Sequence, residues 1–355
     1  ILIACKLACV VFYQYQYQYQ YQSNLLKYTG KIIALAFPEV FVKGSADLIC
    51  KFLPFVGVGT KQYIKAGHAA LLLIENKTGL IRYFDFGRYS TPDGYGRLRS
   101  IETDAELHIG FKAILAAEGT LQNMEQILHW LTDNPQKTNA SGRLLASVCE
   151  TIDYKKAQTY LLSLQDRGSI PYALFDKNSS NCSRVVANTI LQSTDTKDVI
   201  NRLNFNKLFT PSTIGNVKVA ASNGIVYEVN GTQIKHFTST PLKENISNLF
   251  DKNVPPTLGP KDKINAPEHW CFLKGIGSST YFEMVPCVLP ANHFRIKRYN
   301  THLVLDFDGV FISNKFDSTK PYKFTYDSHC KHCHILQGGE KIKLNCVSAF
   351  SKFNS

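Results

Sequence analysis

No methionine precedes Met124 and no run of consecutive Lys or Arg exceeds three; methionine and tryptophan each occur only twice in 355 residues. Initiation at Met124 would delete the apolar segment around His68, so the natural start is missing or non-standard. The lack of basic runs removes a nucleic-acid arm: the net charge of +12 is spread along the chain, and no nucleic-acid partner is expected. Ten cysteines, at 5, 9, 50, 149, 182, 271, 287, 330, 333 and 346, lack the dense regular spacing of a disulfide-framed secreted scaffold. A reducing, cytoplasmic compartment is favoured, with the envelope left open by the uncertain N-terminus. Cys50 and Cys149 sit among apolar residues, where cysteine acts as a small buried hydrophobe.

Membrane association is not expected either. Leu2-Ile3-Ala4-Cys5 resembles a lipoprotein cleavage box, and Leu2 to Phe12 is apolar except for Lys6, but no charged region or full apolar stretch precedes it. Residues 13–22 alternate tyrosine and glutamine five times, a low-complexity tract. Residues 1–30 are therefore set aside as a low-complexity or artefactual tail.

What remains is ordinary globular composition, 44% hydrophobic and 12% aromatic, and long enough for two domains. Gly67 to Glu75 and Gly79 to Tyr89 read as a hairpin around Asn76-Lys77-Thr78-Gly79. Leu121 to Leu131, Arg143 to Cys149 and Ile152 to Leu164 read as helices. Ile170 to Phe175 is a short apolar run before a polar loop, Asp176 to Asn181, and Arg184 to Leu191 reads as a helix packed on a sheet through Val185, Val186, Thr189 and Ile190. The second half reads as short strands: Gly224 to Val229 with the turn Asn230-Gly231, Tyr281 to Leu289, His302 to Phe307 with the turn Asp308-Gly309, and Lys341 to Val347. The turn reading also accounts for Asp306-Phe307-Asp308-Gly309-Val310, a string with some likeness to phosphatase signatures. Pro255, Pro256 and Pro260 mark a polar linker. The expected fold class is α+β: a first domain over 31–212, a connector with short strands over 213–263, and a β-rich C-terminal domain over 264–355.

Two distant strings carry chemistry. Gly67-His68-Ala69 opens an apolar strand, and Asn181-Cys182 stands where the polar loop becomes a helix. Backbone N–H groups and the dipole at a helix start lower a thiol's pKa and can hold a developing oxyanion. Closing the hairpin at Lys77-Thr78 places Ala70 opposite Asp85, so His68 lies diagonally adjacent to Asp85 on the same face. A carboxylate flanked by Phe84 and Phe86 needs a partner. The candidate triad is Cys182 as nucleophile, His68 as base and Asp85 as the group orienting it, with the Cys182 N–H and the side chains of Asn181 or Ser180 as oxyanion donors. Arg88 and Tyr89 are candidate substrate-binding residues. With Arg97 and Arg99 they follow the Asp85 strand and suit a carboxylate or phosphate, although most of these positions read as solvated surface.

The order of His on one strand, a polar residue on the next and Asn-Cys at a helix start resembles the circularly permuted branch of the papain-like, cell-wall-peptidase superfamily, which includes lecithin:retinol acyltransferase. The stretch from Phe37 to Leu191, with Gly67-His68-Ala69, Asp85-Phe86-Gly87-Arg88-Tyr89, Gly142-Arg143-Leu144 and Asn181-Cys182, also resembles an uncharacterised bacterial family of unknown function. The resemblance implies a permuted papain-like domain, an antiparallel sheet packed on helices, with His68 and Cys182 as base and nucleophile and Asp85 in the third place.

His329-Cys330-Lys331-His332-Cys333-His334 has zinc-knuckle spacing at Cys330 and Cys333 but is half a site. Cys346, Cys271 and Cys287 are the available further donors. A structural zinc, a redox dithiol and a purely structural role all stay open, and no other cofactor is expected. The expected function is a cysteine hydrolase (amidase or peptidase) or acyltransferase acting on a small-molecule, peptide or acyl substrate. The alternatives are a catalytically inactive papain-like module whose β-rich domain binds a partner or envelope component, and a zinc-dependent binding protein. Oligomeric state is not legible.

Overall fold

The computed structural model describes residues 27–44, 52–140, 142–174, 176, 178–208, 210–255 and 265–353. The tyrosine–glutamine tract, the cleavage-box segment, Cys50, Phe175, Pro256 and Pro260 lie outside the described residues.

The first domain is built in the order β1 (Gly30–Phe37), a short pair β2 (Val42–Lys43) and β3 (Tyr63–Ile64), β4 (His68–Glu75), β5 (Ile81–Gly87), β6 (Tyr95–Arg99), α1 (Met124–Asp133), α2 (Pro135–Thr138), β7 (Leu144–Ile152), α3 (Tyr154–Asp166), β8 (Ile170–Pro171), α4 (Cys182–Ser193), α5 (Lys197–Asn206), α6 (Thr213–Ala220), β9 (Tyr227–Asn230), β10 (Gln233–His236) and α7 (Pro241–Phe250). Eight of these strands form one antiparallel sheet in the order β10-β9-β7-β1-β4-β5-β6-β8. Its central strands are covered on both faces. Ile32, Ala34, Leu71 and Leu73 meet α3, α4 and α6 on one side, while Ile33, Leu35, Leu72 and Ile74 meet α1 and residues 107–113 on the other. Double coverage explains why β1 and β4 are continuous apolar runs rather than alternating ones.

The same coverage corrects one expectation. Arg143 to Cys149 is not helical: Leu144–Ile152 is β7, paired to β1 and β9. A short apolar run buried on both faces has no period to separate strand from helix. The helix begins afterwards, at α3, where Asp153 Oδ1 accepts from Lys156 N at 3.0 Å. Residues 213–250 are likewise not a connector. The helix α6 packs against β1 and β7, and β9 and β10 extend the first sheet.

The C-terminal domain is a seven-stranded antiparallel sheet of β11 (Cys271–Leu273), β12 (Thr280–Val285), β13 (His293–Tyr299), β14 (Leu305–Ile312), β15 (Lys323–Thr325), β16 (His332–Gln337) and β17 (Glu340–Ala349), followed by α8 (Phe350–Phe353). The order β11-β12-β13-β14-β17-β16-β15 curls into a near-barrel, and Cys271 Sγ donates to Phe324 O across the edges at 3.6 Å. Phe282, Ile296, Phe311, Ile335 and Leu344 fill it. Asp308-Gly309 is no turn. Both residues lie inside β14, where Asp308 accepts from Arg295 Nε at 2.9 Å and Nη2 at 2.5 Å, and where a Cβ on Gly309 would strike the Phe307 ring. The chain reverses earlier, at Asn300 to Leu303, with Leu303 at φ +60° and Asn300 Oδ1 accepting from His302 N at 2.8 Å. The α+β class with a β-rich C-terminal domain is as expected. Among the described residues no helix is long and apolar enough to cross a membrane.

The two domains are joined by buried polar contacts. Arg298, 2% exposed, donates to Asp104 Oδ1 at 2.9 Å, Glu106 Oε2 at 2.6 Å, Thr103 O at 3.1 Å and, within its own domain, Asp306 Oδ1 at 2.7 Å. Asp104 also accepts from Arg97 at 2.6 and 2.7 Å. Ser169 and Cys330 add bonds to Asp327 and Thr103. A short parallel bridge, Tyr89 to Ser278, runs between the end of β5 and the loop before β12.

Candidate active site

Hairpin register places the site. Ala70 pairs with Asp85 across β4 and β5, so His68 sits one diagonal step from the carboxylate. Gly67, at φ +74°, turns the chain into β4; a Cβ there would press on Phe37 O and Thr213 Oγ1, so the entry to His68 favours glycine. Cys182 comes from the other layer. Asn181 caps α4, its Oδ1 accepting from Arg184 N at 2.9 Å, and Val185, Val186 and Ile190 seat the helix on the sheet. Arg184, buried under the loop, donates to Ser179 O at 2.9 Å and to Asp176 O, tying loop to helix.

Cys182 and His68 are brought together. Both are buried, and thiol and imidazole hydrogen-bond each other. His68 Nε2 faces Asp85 Oδ2 at 3.4 Å. Burial by itself lowers the imidazole pKa, but hydrogen bonds to Asp85 and Cys182 override it and raise His68 to about 9. Burial raises the thiol, yet the His68 imidazole and the backbone N–H groups of Ala69 and Ser183 bring Cys182 below its ordinary value. The two shifts together favour a thiolate–imidazolium pair.

Asp85 is 1% exposed and surrounded by donors. Arg99 Nε meets Oδ1 at 2.9 Å and Arg99 Nη2 meets Oδ2 at 2.6 Å, while Tyr89 and Tyr83 hydroxyls donate to Oδ2 at 2.9 and 3.2 Å. Burial opposes ionisation, but the Arg99 charge and the His68 hydrogen bond hold the carboxyl at about 2. Its orientation is therefore fixed and it stays charged. Arg99 and Arg97, read from sequence as surface or anion-binding positions, are buried and paired, Arg97 with Asp104 and Arg99 with Asp85. Arg99 and Tyr83 are the residues sequence reasoning missed. The available signal was a charge pair directly across β5 and β6, Asp85 to Arg99, which needed the position of β6 to be known.

The remaining candidates fall in different places. Tyr89 belongs to the buried cluster, its hydroxyl on Asp85 and its ring 3.9 Å from the Arg99 guanidinium. Asn181 has both polar ends engaged, Oδ1 by Arg184 N and Nδ2 by Ala173 O at 3.1 Å. Ser180 is held in the backbone bridge to Tyr172. At the start of α4, Arg184 N bonds Asn181 Oδ1, Val185 N bonds Asn181 O and Ser183 N faces the Cys182 sulfur, which leaves the N–H of Cys182 itself.

Cys182 stands between two hollows that share Tyr172. One, about 190 Å³, is largely apolar and lined by Val42, Leu53, Ile64, Leu174, Pro211 and Leu249. The other, about 400 Å³, contains His68, Lys43, Arg88 and Asn139 from the first domain and Gly275 to Ser279 with Thr301 from the second.

The C-terminal Cys/His cluster behaves differently. Burial pushes the thiols of Cys330 and Cys333 well up, and burial with nearby Lys343 takes His332 down to about 3. Cys333 Sγ donates to His329 O at 3.7 Å, and Cys330 N donates to Thr103 O at 3.0 Å across the domain boundary. Among the described residues no three His, Cys, Asp or Glu side chains converge on a point that suits a metal. The visible contacts of the segment pack β16 and tie it to Thr103 of the first domain.

Comparison with known proteins gives two segmental matches. Residues 32–199 match the family described as Type VI secretion system effector TseH-like, and residues 270–347 match the DUF6695 C-terminal domain. Among solved structures, the crystal structure of the Type VI secretion system effector TseH is similar at 16% identity and a TM-score of 0.38, over 59% of this chain and 98% of that one. No curated protein matches.

Proposed function

We propose that the protein is a cysteine hydrolase or acyltransferase of circularly permuted papain-like design, working through an acyl-enzyme on Cys182. The observation that carries this reading is the buried Cys182–His68 pair, with the thiol pKa lowered, the imidazole raised to about 9 and Asp85 beneath it. The Cys182 thiolate attacks a carbonyl carbon and the carbonyl electron pair moves to oxygen, where the N–H of Cys182 at the start of α4 holds it. Collapse expels the leaving group, which takes the proton from imidazolium His68. Neutral His68 then deprotonates water, or another nucleophile in acyl transfer; that group attacks the thioester and the thiolate departs. Asp85 keeps the imidazole oriented and stabilises its charged form. The match of residues 32–199 to a family of Type VI secretion effectors supports placing this chemistry in an effector.

Activity-based labelling with acyl, peptide and thioester probes tests the reading. Labelling at Cys182, turnover of at least one probe class, and its loss in Cys182→Ala are expected. An unperturbed thiol near pKa 8.5, with the same turnover in Cys182→Ala, rejects it. The competing reading, an inactive shell whose β-rich domain binds a partner, draws on exposed Phe272, Val288 and Val304; it predicts an inert Cys182 and a pull-down interaction lost with residues 264–355.

A further inference from the structure

We infer that the polar hollow on the His68 side of Cys182 is a carboxylate-binding subsite, with Arg88 as its cation and the C-terminal domain as its far wall. The inference rests on the nucleophile reading above and adds a substrate class: an acyl compound carrying a free carboxylate near the reacting carbonyl.

Arg88 differs from the other buried arginines. Arg97, Arg99 and Arg298 each meet a carboxylate, and Arg184 meets several carbonyl oxygens. Arg88 is only 8% exposed, yet among the described residues its one side-chain hydrogen bond is from Nη2 to Lys43 O at 2.6 Å, and its guanidinium lies 4.7 Å over the Tyr172 ring. No carboxylate pairs with it among the described residues. A guanidinium taken out of water without an anion is costly, and this one borders the same hollow as His68 and Cys182. Arginine's planar fork suits a carboxylate.

The position is built rather than incidental. Gly277 N donates to Arg88 O at 3.0 Å and Ser90 N donates to Ser278 O at 2.8 Å, so the backbone carrying Arg88 is clamped by the 275–279 loop. A Cβ on Gly275 would collide with Ser278 O and Ser90 N, so the loop reaches this close only with glycine there. Thr301 also lines the hollow, from the second domain.

The test uses two alkylating agents that differ in charge, iodoacetate and iodoacetamide, at low ionic strength, with the rate read at the Cys182 peptide by mass spectrometry. In either case a carbon–sulfur bond forms and iodide leaves, and each protein's own iodoacetamide rate is its reference. In Arg88→Met the iodoacetate-to-iodoacetamide ratio falls about three- to tenfold from wild type, the size expected for one partly screened charge at this range. Thr301→Glu, which leaves Arg88 in place and adds a negative charge to the far wall, lowers the ratio similarly, whereas Arg88→Lys retains most of it. A ratio unchanged within twofold in both Arg88→Met and Thr301→Glu overturns the subsite while leaving the nucleophile intact. Slow alkylation of wild-type Cys182 by iodoacetamide, with the rate of an ordinary thiol, overturns the nucleophile reading instead.

Discussion

Arg99 lies directly across the β5–β6 pairing from Asp85 and grips both of its carboxylate oxygens. The pair is buried, so removing one partner strands the other. Arg99→Met is expected to lower stability by about 3–5 kcal/mol in urea unfolding. Asp85→Asn should cost a similar amount. The double substitution should recover part of the loss, because it leaves no uncompensated charge; strict additivity in the double variant counts against the pair as a coupled unit.

The thiol–imidazole pair sets the pH response. Alkylation of Cys182 by iodoacetamide should stay nearly flat around neutrality, where an ordinary thiol gains about tenfold per pH unit, and turnover should fall as pH rises through about 9 and His68 loses its proton. Stability follows by linkage. The folded-state pKa of His68 lies above its ordinary value of 6.5, so its contribution is full below 6.5 and is lost as pH climbs through about 9. Asp85 has the opposite sign: folded near 2 against 3.8, its contribution is full above 3.8 and is lost as pH falls through about 2. Unfolding free energies across this range, with Asp85→Asn and His68→Gln as references, check both limbs.

Tyr89 separates ring from hydroxyl. Tyr89→Phe keeps the surface under Arg99 but removes the 2.9 Å bond to Asp85, and should cost about 1–2 kcal/mol with a several-fold slower alkylation of Cys182. Tyr89→Ala should cost more, because packing is lost as well. A Tyr89→Phe variant as stable and as reactive as wild type would remove the hydroxyl from the account.

Arg298 tests whether the domains act as one. It meets Asp104 and Glu106 of the first domain and Asp306 of its own, so Arg298→Met leaves three carboxylates crowded at a buried boundary. A loss of about 3–5 kcal/mol is expected, with calorimetry resolving two transitions in place of one. A single unshifted transition would show that the boundary is held by other contacts.

How much of this was readable depends on range. The hairpin register, and through it the meeting of His68 with Asp85, followed from one local turn and the period of two. The helix start at Cys182 followed from a cap signal at Asn181. What failed was whatever needed a third element. Arg99 looked solvated because nothing local placed β6 beside β5. Leu144 to Ile152 looked helical because strands covered on both faces carry no alternation. Asp308-Gly309 looked like a turn because the cross-strand Arg295 that holds Asp308 was out of sight. Gly224 to Val229 with the turn Asn230-Gly231 reads as a short strand, but the pairing of β9 to β7 crosses more than eighty residues and leaves no local trace.

That same long range bears on when the chain becomes reactive. The acidity of Cys182 depends on a contact with His68 more than a hundred residues away, on the face of a central strand that is itself paired to distant β1. Contacts of such sequence separation close late and slowly. While the chain is incomplete or still collapsing, its sulfur is an ordinary protonated thiol. On the proposed reading, the reactivity of Cys182 therefore waits on the docking of α4 onto β4.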